Sequence, residues 1–245
     1  MTVLRSALFN AGFFSLTAVM AILCLPLLAL PRRFAVAAMR LWARLVLGWL
    51  RATCGVRVVL LGAERIPRGA AVIASKHQSA FDTIVWLTLV EDAAYVLKKE
   101  LLAIPLYGWF ARRVGMIPVD RSGGGAALRG MLRAAATALE AGRQVVIFPE
   151  GTRSAPGERV PYQPGVVAIA GIGSAPVIPV ATDSGRIWGR RAFRKRPGII
   201  HVSVLEPLHP GLPRAKLLPA LEAAIEGETA RLLAGAGPAV DKRVD

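Results

Sequence analysis

His77 and Asp82 stand five residues apart in Ser75-Lys76-His77-Gln78-Ser79-Ala80-Phe81-Asp82, and Phe148-Pro149-Glu150-Gly151-Thr152-Arg153-Ser154 follows downstream. An imidazole is well suited to taking a proton near neutral pH, and a carboxylate one turn away can fix its tautomer and stabilise the imidazolium. No Gly-x-Ser-x-Gly elbow and no motif-embedded cysteine supplies a nucleophile from the chain beside that base. The pairing therefore points to chemistry in which a substrate hydroxyl makes the attack. Each motif alone also has a plain structural reading, a surface His–Asp contact in one case and a strand-to-turn exit in the other.

Company changes the weight of the two motifs. Between them lie Lys98-Lys99-Glu100-Leu101-Leu102-Ala103-Ile104-Pro105-Leu106-Tyr107-Gly108-Trp109 and Gly115-Met116-Ile117-Pro118-Val119-Asp120-Arg121, and after them Ala175-Pro176-Val177-Ile178-Pro179-Val180. In order and wording these blocks resemble the glycerolipid acyltransferase family, most closely its bacterial 1-acylglycerol-3-phosphate acyltransferases, over about residues 55–205. That resemblance implies an α/β catalytic domain that moves an acyl chain from acyl-CoA or acyl carrier protein onto a glycerol hydroxyl. It implies His77 as general base and Asp82 as its orienter. It also implies Arg121, Glu150, Gly151, Thr152 and Arg153 as binders of a phosphate-bearing acceptor, with Lys98 as helper and Pro179 shaping the acyl side of the site.

The residue types agree with such chemistry. A glycerol hydroxyl is a weak nucleophile until a base takes its proton as it attacks a thioester, and the resulting oxyanion needs donors. Arg121 and Arg153 are planar forks suited to phosphate, and Gly151 would allow close approach to the backbone. Glu150 would repel phosphate, so it is expected to accept a hydrogen bond from the acceptor hydroxyl or to position Arg153. One departure concerns the acceptor: Gln163-Pro164 stands where many relatives carry two basic residues before the glycine, here Gly165. The acceptors left open are 1-acylglycerol-3-phosphate, a lysophospholipid, a lyso-ornithine lipid and glycerol-3-phosphate. A non-catalytic lipid-binding protein is the remaining alternative, and it would be expected to have lost a member of the His–Asp pair.

These side chains must be held by a scaffold. Short apolar, β-branched runs predict strands at 56–61, 71–75, 94–97, 115–119, 144–148, 177–181 and 199–205, with helices between them, which amounts to a mixed central sheet flanked by helices. Gly125 to Gly142 reads as an amphipathic helix with Leu128, Leu132, Ala135 and Leu139 on its core stripe. Leu218 to Ala234 reads as a second, with Pro219 tolerable only in its first turn. Residues 235–245 form a small, polar tail expected to be disordered.

Before this domain of residues 55–234 the chain predicts an N-terminal membrane anchor, residues 1–54, made of a helical pair. Ala7 to Leu30 is apolar apart from Asn10, Ser15 and Thr17. At ~1.5 Å per residue its length is about 36 Å, enough to cross a ~30 Å hydrocarbon core. Phe34 to Thr53 places Arg40, Arg44 and Arg51 among leucines and tryptophans, the pattern of a basic helix in a headgroup layer or of a helix packed on the domain with its arginines in water. The anchor could span once, with the positive flank placing the domain at the cytoplasmic face of an inner membrane, or form a one-leaflet hairpin bent at Pro26 and Pro31.

A net charge of +15 with 54% hydrophobic residues and a mean hydropathy of +0.47 suits an anionic membrane surface better than nucleic acid, for which no zinc spacing or stacking pattern is present. The expected partners are membrane lipids, the lysophospholipid acceptor and the acyl donor. No cofactor or metal is expected, and Cys24 and Cys54 are predicted to be neither ligands nor bridged. The basic run from Arg186 to Arg196 is expected to face membrane, guide an anionic donor, or sit in solvent.

Overall fold

The computed structural model describes residues 1–120, 122–208 and 212–235 and the backbone of 242–243. In chain order the elements are α1 (Thr2–Leu23), α2 (Arg32–Cys54), β1 (Val56–Leu61), β2 (Ala71–Ser75), α3 (Phe81–Leu89), β3 (Ala93–Lys98), α4 (Tyr107–Arg113), β4 (Ile117–Val119), α5 (Gly124–Glu140), β5 (Gln144–Ile147), α6 (Gly165–Ala170), β6 (Val177–Thr182), α7 (Ser184–Ile187), β7 (Gly198–Val204), α8 (Arg214–Leu233) and β8 (Lys242–Arg243). The strands form one mixed sheet in the order β4-β3-β5-β2-β6-β7-β1-β8.

β2 is the hub, parallel to β5 on one side and to β6 on the other. Every residue of β2, β5 and β6 is buried, as expected for strands covered on both faces, whose sequences read as continuous apolar runs. Side-chain alternation divides the core. Ile73, Val146, Ile178 and Val180 join α2 and α3 on one face, while Val72, Val145, Ile147 and Val177 join α5, α6 and α8 on the other. The carboxyl ends of β2, β5 and β6 therefore emerge side by side.

Three local expectations need correction. The buried stripe of α5 is Met131, Ala135, Ala138 and Leu139, and Leu128 is exposed, because the helix face that meets the sheet is rotated from the leucine stripe. α8 begins at Arg214 behind Pro213, which puts Pro219 inside the helix; both Pro219 and Ala215, whose carbonyl loses its partner, are exposed, so water can serve that carbonyl. Within the segment expected to be a disordered tail, Lys242–Arg243 pairs antiparallel with β1.

α1 is long and apolar enough to cross a membrane by length and composition, and Leu4, Leu8, Phe14, Val19, Ile22 and Leu23 are exposed. It ends at Leu23, ahead of a 3-10 turn over Leu25–Leu28 that contains Pro26. α2 folds back along it. Gly12 lets the two helices touch, since a Cβ there would lie 2.1 Å from the Trp49 indole nitrogen, and Trp42 Nε1 donates to Thr17 Oγ1 at 3.1 Å.

The other side of the hairpin is fixed to the domain. Ser6 and Phe9 are buried, the Lys195 N–H donates to Ser6 Oγ at 2.9 Å, and the Phe9 ring meets Trp188 edge-on at 5.2 Å. α2 buries Ala35, Ala43, Val46 and Leu50 while Arg44 and Arg51 face outward.

At the start of α2, Arg32 donates to both oxygens of Asp92 at 2.6 Å and to the Val114 carbonyl, and Arg143 adds a 3.1 Å bond to Asp92. Burial pushes the Asp92 carboxyl up, but the Arg32 hydrogen bond and the Arg143 charge more than offset this and leave it below its ordinary value. A lowered folded pKa contributes stability that is present above the unfolded value of about 3.9 and is lost as pH falls through the folded one. Asp92→Asn is expected to cost about 1–2 kcal/mol at neutral pH, at the low end because Arg32 is partly solvated, and to remove that acid-dependent part of the stability. Denaturant titration at pH 7 and below pH 4, followed by tryptophan fluorescence, checks both.

Candidate active site

The parallel strands deliver the two motifs to each other. His77 leaves β2, Phe148 to Ser154 leave β5, and Asp183-Ser184 leave β6, all at one end of the sheet, where open α/β folds place their sites. Asp82 lies in the first turn of α3. One of its oxygens, Oδ2, accepts the backbone N–H groups of Gln78 and Ser79 at 2.7 Å each and faces His77 Nδ1 at 3.1 Å. An acidic residue reaching back to the N–H groups ahead of its own helix closes the chain into a tight turn, and that turn presents the imidazole. With Nδ1–H donating to Asp82, the nitrogen left to accept a proton is Nε2, for which no partner exists among the described residues. The imidazole is one-tenth exposed and stacks on Phe148, ring centroids 4.0 Å apart.

Ser184 is the member of this cluster that motif reading missed. It is fully buried, and its Oγ donates to Asp82 Oδ1 at 2.6 Å. Asp82 thus has both oxygens engaged, one by the imidazole and two peptides, the other by Ser184. Gln78 is also fully buried; its Oε1 accepts the Gly185 N–H at 3.0 Å, which fixes the amide's orientation. Its Nε2 has no partner among the described residues, so a donor is left over one residue from His77.

Glu150 serves the scaffold. It is buried, and its Oε2 accepts the His77 backbone N–H at 2.7 Å. Its Oε1 takes Ser154 Oγ at 2.6 Å and Lys76 Nζ at 2.7 Å. The hydrogen bond expected from an acceptor hydroxyl is thus taken up internally. Lys76, also buried, bridges to Glu226 of α8 at 2.7 Å, and Tyr162 Oη donates to the same carboxylate at 2.8 Å. Burial pushes the Glu150 carboxyl above its ordinary value, and Lys76, Ser154 and the His77 N–H oppose that shift without cancelling it. Sequence spacing could suggest the His77–Asp82 pair but not a lysine, a tyrosine and two glutamates drawn from three separate segments.

The remaining expected residues sort by position. Gly151 has φ +67°, a left-handed turn that only glycine adopts without strain, and it carries the chain to an exposed Thr152 and a partly exposed Arg153. Arg153 feels Asp82 and the guanidinium groups of Arg190 and Arg191; its pKa is lowered mainly by burial, with Asp82 opposing. Lys98 ends β3, exposed at the same edge of the sheet. Next to it Lys99 pairs with Asp120, the residue before Arg121, and Arg121 itself lies outside the described residues. Pro179 is a buried mid-strand residue of β6, opposite Ala74. Alternation with Ile178 and Val180 puts it on the α8 face, away from the Ile73–α3 side, so it belongs to the core behind the site and does not line an acyl pocket beside His77.

Comparison with known proteins gives a consistent pattern. A family model described as Acyltransferase matches residues 57–183. The 1-acyl-sn-glycerol-3-phosphate acyltransferase of Pseudomonas aeruginosa is 35% identical over 168 residues, 69% of this chain and 65% of that protein. The 1-acyl-sn-glycerol-3-phosphate acyltransferase alpha of Mus musculus is 32% identical over 67% of this chain and 59% of its own length. The match thus spans less than two thirds of each of these curated relatives. The crystal structure of the 1-acyl-sn-glycerophosphate acyltransferase PlsC from Thermotoga maritima superposes with a TM-score of 0.78 at 24% identity, covering 96% of this chain and 98% of that one.

Proposed function

The chain belongs to the acyltransferase family, and on that premise we propose that it transfers a fatty acyl group from a thioester donor, acyl-CoA or acyl carrier protein, to the sn-2 hydroxyl of 1-acylglycerol-3-phosphate, forming phosphatidic acid. The observation that carries this reading is the His77–Asp82 pair, held at 3.1 Å with Nε2 left free. In the proposed step Nε2 takes the proton of the acceptor hydroxyl as its oxygen attacks the thioester carbonyl. The C–O bond forms, the tetrahedral oxyanion collapses, the C–S bond breaks, and the proton on Nε2 passes to the departing thiolate.

Asp82 keeps Nδ1–H donating and stabilises the imidazolium. The unused Nε2–H of Gln78 is a side-chain donor available to the oxyanion, and Arg153 at the mouth suits the acceptor phosphate. Lys98, at the carboxyl end of β3, is proposed to assist, and Arg121 keeps the acceptor-binding role that the family resemblance implies. The activity for which the relatives are named supports the choice of acceptor.

The protein is proposed to work at a membrane, with the domain on the cytoplasmic face of an inner membrane. Of the two anchoring modes, the one-leaflet hairpin has the better support. The contacts of Ser6, Phe9 and Asn10 with the 188–195 loop hold the first half of α1 against the domain, while its other side exposes leucine and phenylalanine.

Ser184 is a positioning residue in this scheme. Ser184→Ala is expected to lower kcat about tenfold with the KM of both substrates little changed, because the hydrogen bond to an ionised carboxylate is lost while the binding surfaces remain. Two-substrate steady-state kinetics on the purified variant checks the split.

The functional reading is tested by supplying labelled acyl-CoA and acyl-carrier-protein donors with a panel of 1-acylglycerol-3-phosphate, lysophospholipids, lyso-ornithine lipid and glycerol-3-phosphate. Preferential formation of phosphatidic acid supports it. Equal or better transfer to another acceptor reassigns the substrate within the family.

A further inference from the structure

Between the amino end of α1 and the loop that follows α7 lies a groove of about 1000 Å³, bordered by Thr2, Pro156, Gly185, Arg186, Arg194 and Arg196 among others. The run from Ser184 to Pro197 holds five arginines and one lysine and no acidic residue. The five arginines are exposed. The one carboxylate within 4 Å of any of them, among the described residues, is Asp183, 3.7 Å from Arg186. Five like charges on a segment of fourteen residues repel, and a chain keeps such an arrangement at a cost unless an anion relieves it.

The loop is built as a fixed platform. Lys195 is buried, with its ammonium 5.0 Å from the Trp188 ring centre and 5.2 Å from that of Phe9, and it donates to the Phe193 carbonyl at 3.0 Å. The Arg196 N–H donates to the Ile187 carbonyl at 2.9 Å, and Arg191 is held at φ +54°. The guanidinium groups are therefore carried on a backbone anchored from within, an arrangement suited to planar, bidentate recognition of phosphate.

The groove also shares a wall with the active site. Gly185, on its border, donates to Gln78 beside His77, Ser184 reaches Asp82, and Arg190 donates to the Arg153 carbonyl at 3.2 Å. A concave space of this volume matches a small-molecule site, whereas an acidic protein partner would need a broad exposed face.

We propose that this arginine-lined groove binds the phosphate-bearing nucleotide end of a coenzyme A thioester, so that the pantetheine arm runs past Gly185 toward His77. The inference rests on the acyl-transfer reading for its biological sense, but binding can be read without turnover. Calorimetric titration of free coenzyme A, 3′-dephospho-coenzyme A and pantetheine into the full chain in an uncharged, phosphate-free detergent would compare wild type with Arg194→Ala/Arg196→Ala. Both substituted side chains are exposed, and an unchanged melting temperature confirms intact folding.

The double variant is expected to bind coenzyme A about tenfold or more weakly, 3′-dephospho-coenzyme A to bind wild type more weakly than coenzyme A does, and pantetheine to be insensitive to the substitutions. In turnover the KM for acyl-CoA should rise while that for the acceptor holds. Equal coenzyme A affinity in the two proteins overturns the proposal. So does a loss seen only in binding to anionic phosphatidylglycerol vesicles, which makes the loop a lipid-headgroup contact, or only with acyl carrier protein, which makes it a protein-docking surface. Tight, arginine-dependent coenzyme A binding without acyl transfer would leave the groove standing and sink the functional reading instead.

Discussion

His77→Ala is expected to lower kcat about a hundred- to ten-thousandfold, with the KM for the acceptor changed far less. The loss should fall on kcat because the imidazole does its work when the hydroxyl proton moves, whereas Arg153 and the coenzyme A groove would still hold the substrates. The backbone that carries the ring is held independently of the imidazole. Phe148 stacks on the imidazole, but the turn itself is closed by Asp82 accepting two peptide N–H groups and by Glu150 accepting the His77 backbone N–H. All three of those bonds survive truncation of the side chain. Initial rates in detergent with both substrates varied, together with the melting temperature, separate the loss of a base from a loss of structure.

Lys76→Met is expected to have the largest effect on stability of any single change considered. Its ammonium lies 2.7 Å from Glu150 and 2.7 Å from Glu226, with all three side chains almost wholly buried. Removing the cation leaves two buried carboxylates to be neutralised or left unpaired, a loss of about 3–5 kcal/mol. For a chain of this length that corresponds to a melting temperature lower by roughly 6–20 °C. Burial already pushes Glu150 upward, and Lys76 supplies the largest opposing influence, so the variant should drive Glu150 toward its protonated form and loosen its hold on the His77 peptide. A fall in kcat beyond what the thermal shift explains is therefore expected. The triple change Lys76→Met/Glu150→Gln/Glu226→Gln should recover much of the stability, because no charge is then left unpaired; thermal unfolding followed by circular dichroism on both variants checks the pair of expectations.

Much of this architecture is written in local pattern. The runs 71–75, 144–148 and 177–181 read as strands from sequence, and they form β2, β5 and β6, covered on both faces, with ends within a residue of expectation. The His77–Asp82 contact was legible for a similar reason, since five residues across one turn leave little freedom. What was not legible depends on strands distant in sequence coming to lie side by side. Glu150 looked like a ligand for substrate because it sits in a loop at a strand end, and its true partners, Lys76, Ser154 and the His77 peptide, meet it only because β2 pairs with β5.

Ser184 follows no motif, and reaches Asp82 because β6 runs beside β2. Pro179 carried an expectation of lining the acyl site, yet strand alternation, a one-residue matter, turns it to the opposite face. For α1, hydropathy leaves a single span and a one-leaflet hairpin equally open, because it is blind to Lys195, nearly two hundred residues away, gripping Ser6 and Asn10.

In the proposed single-step transfer His77 activates the acceptor hydroxyl and the chain itself carries no acyl group. Initial rates measured over a grid of acyl-CoA and 1-acylglycerol-3-phosphate concentrations, with intact-protein mass spectrometry of a sample given acyl-CoA alone, test this directly. Intersecting double-reciprocal lines and an unmodified protein mass are expected; parallel lines with a stoichiometric acyl adduct would contradict it and require a nucleophile on the chain.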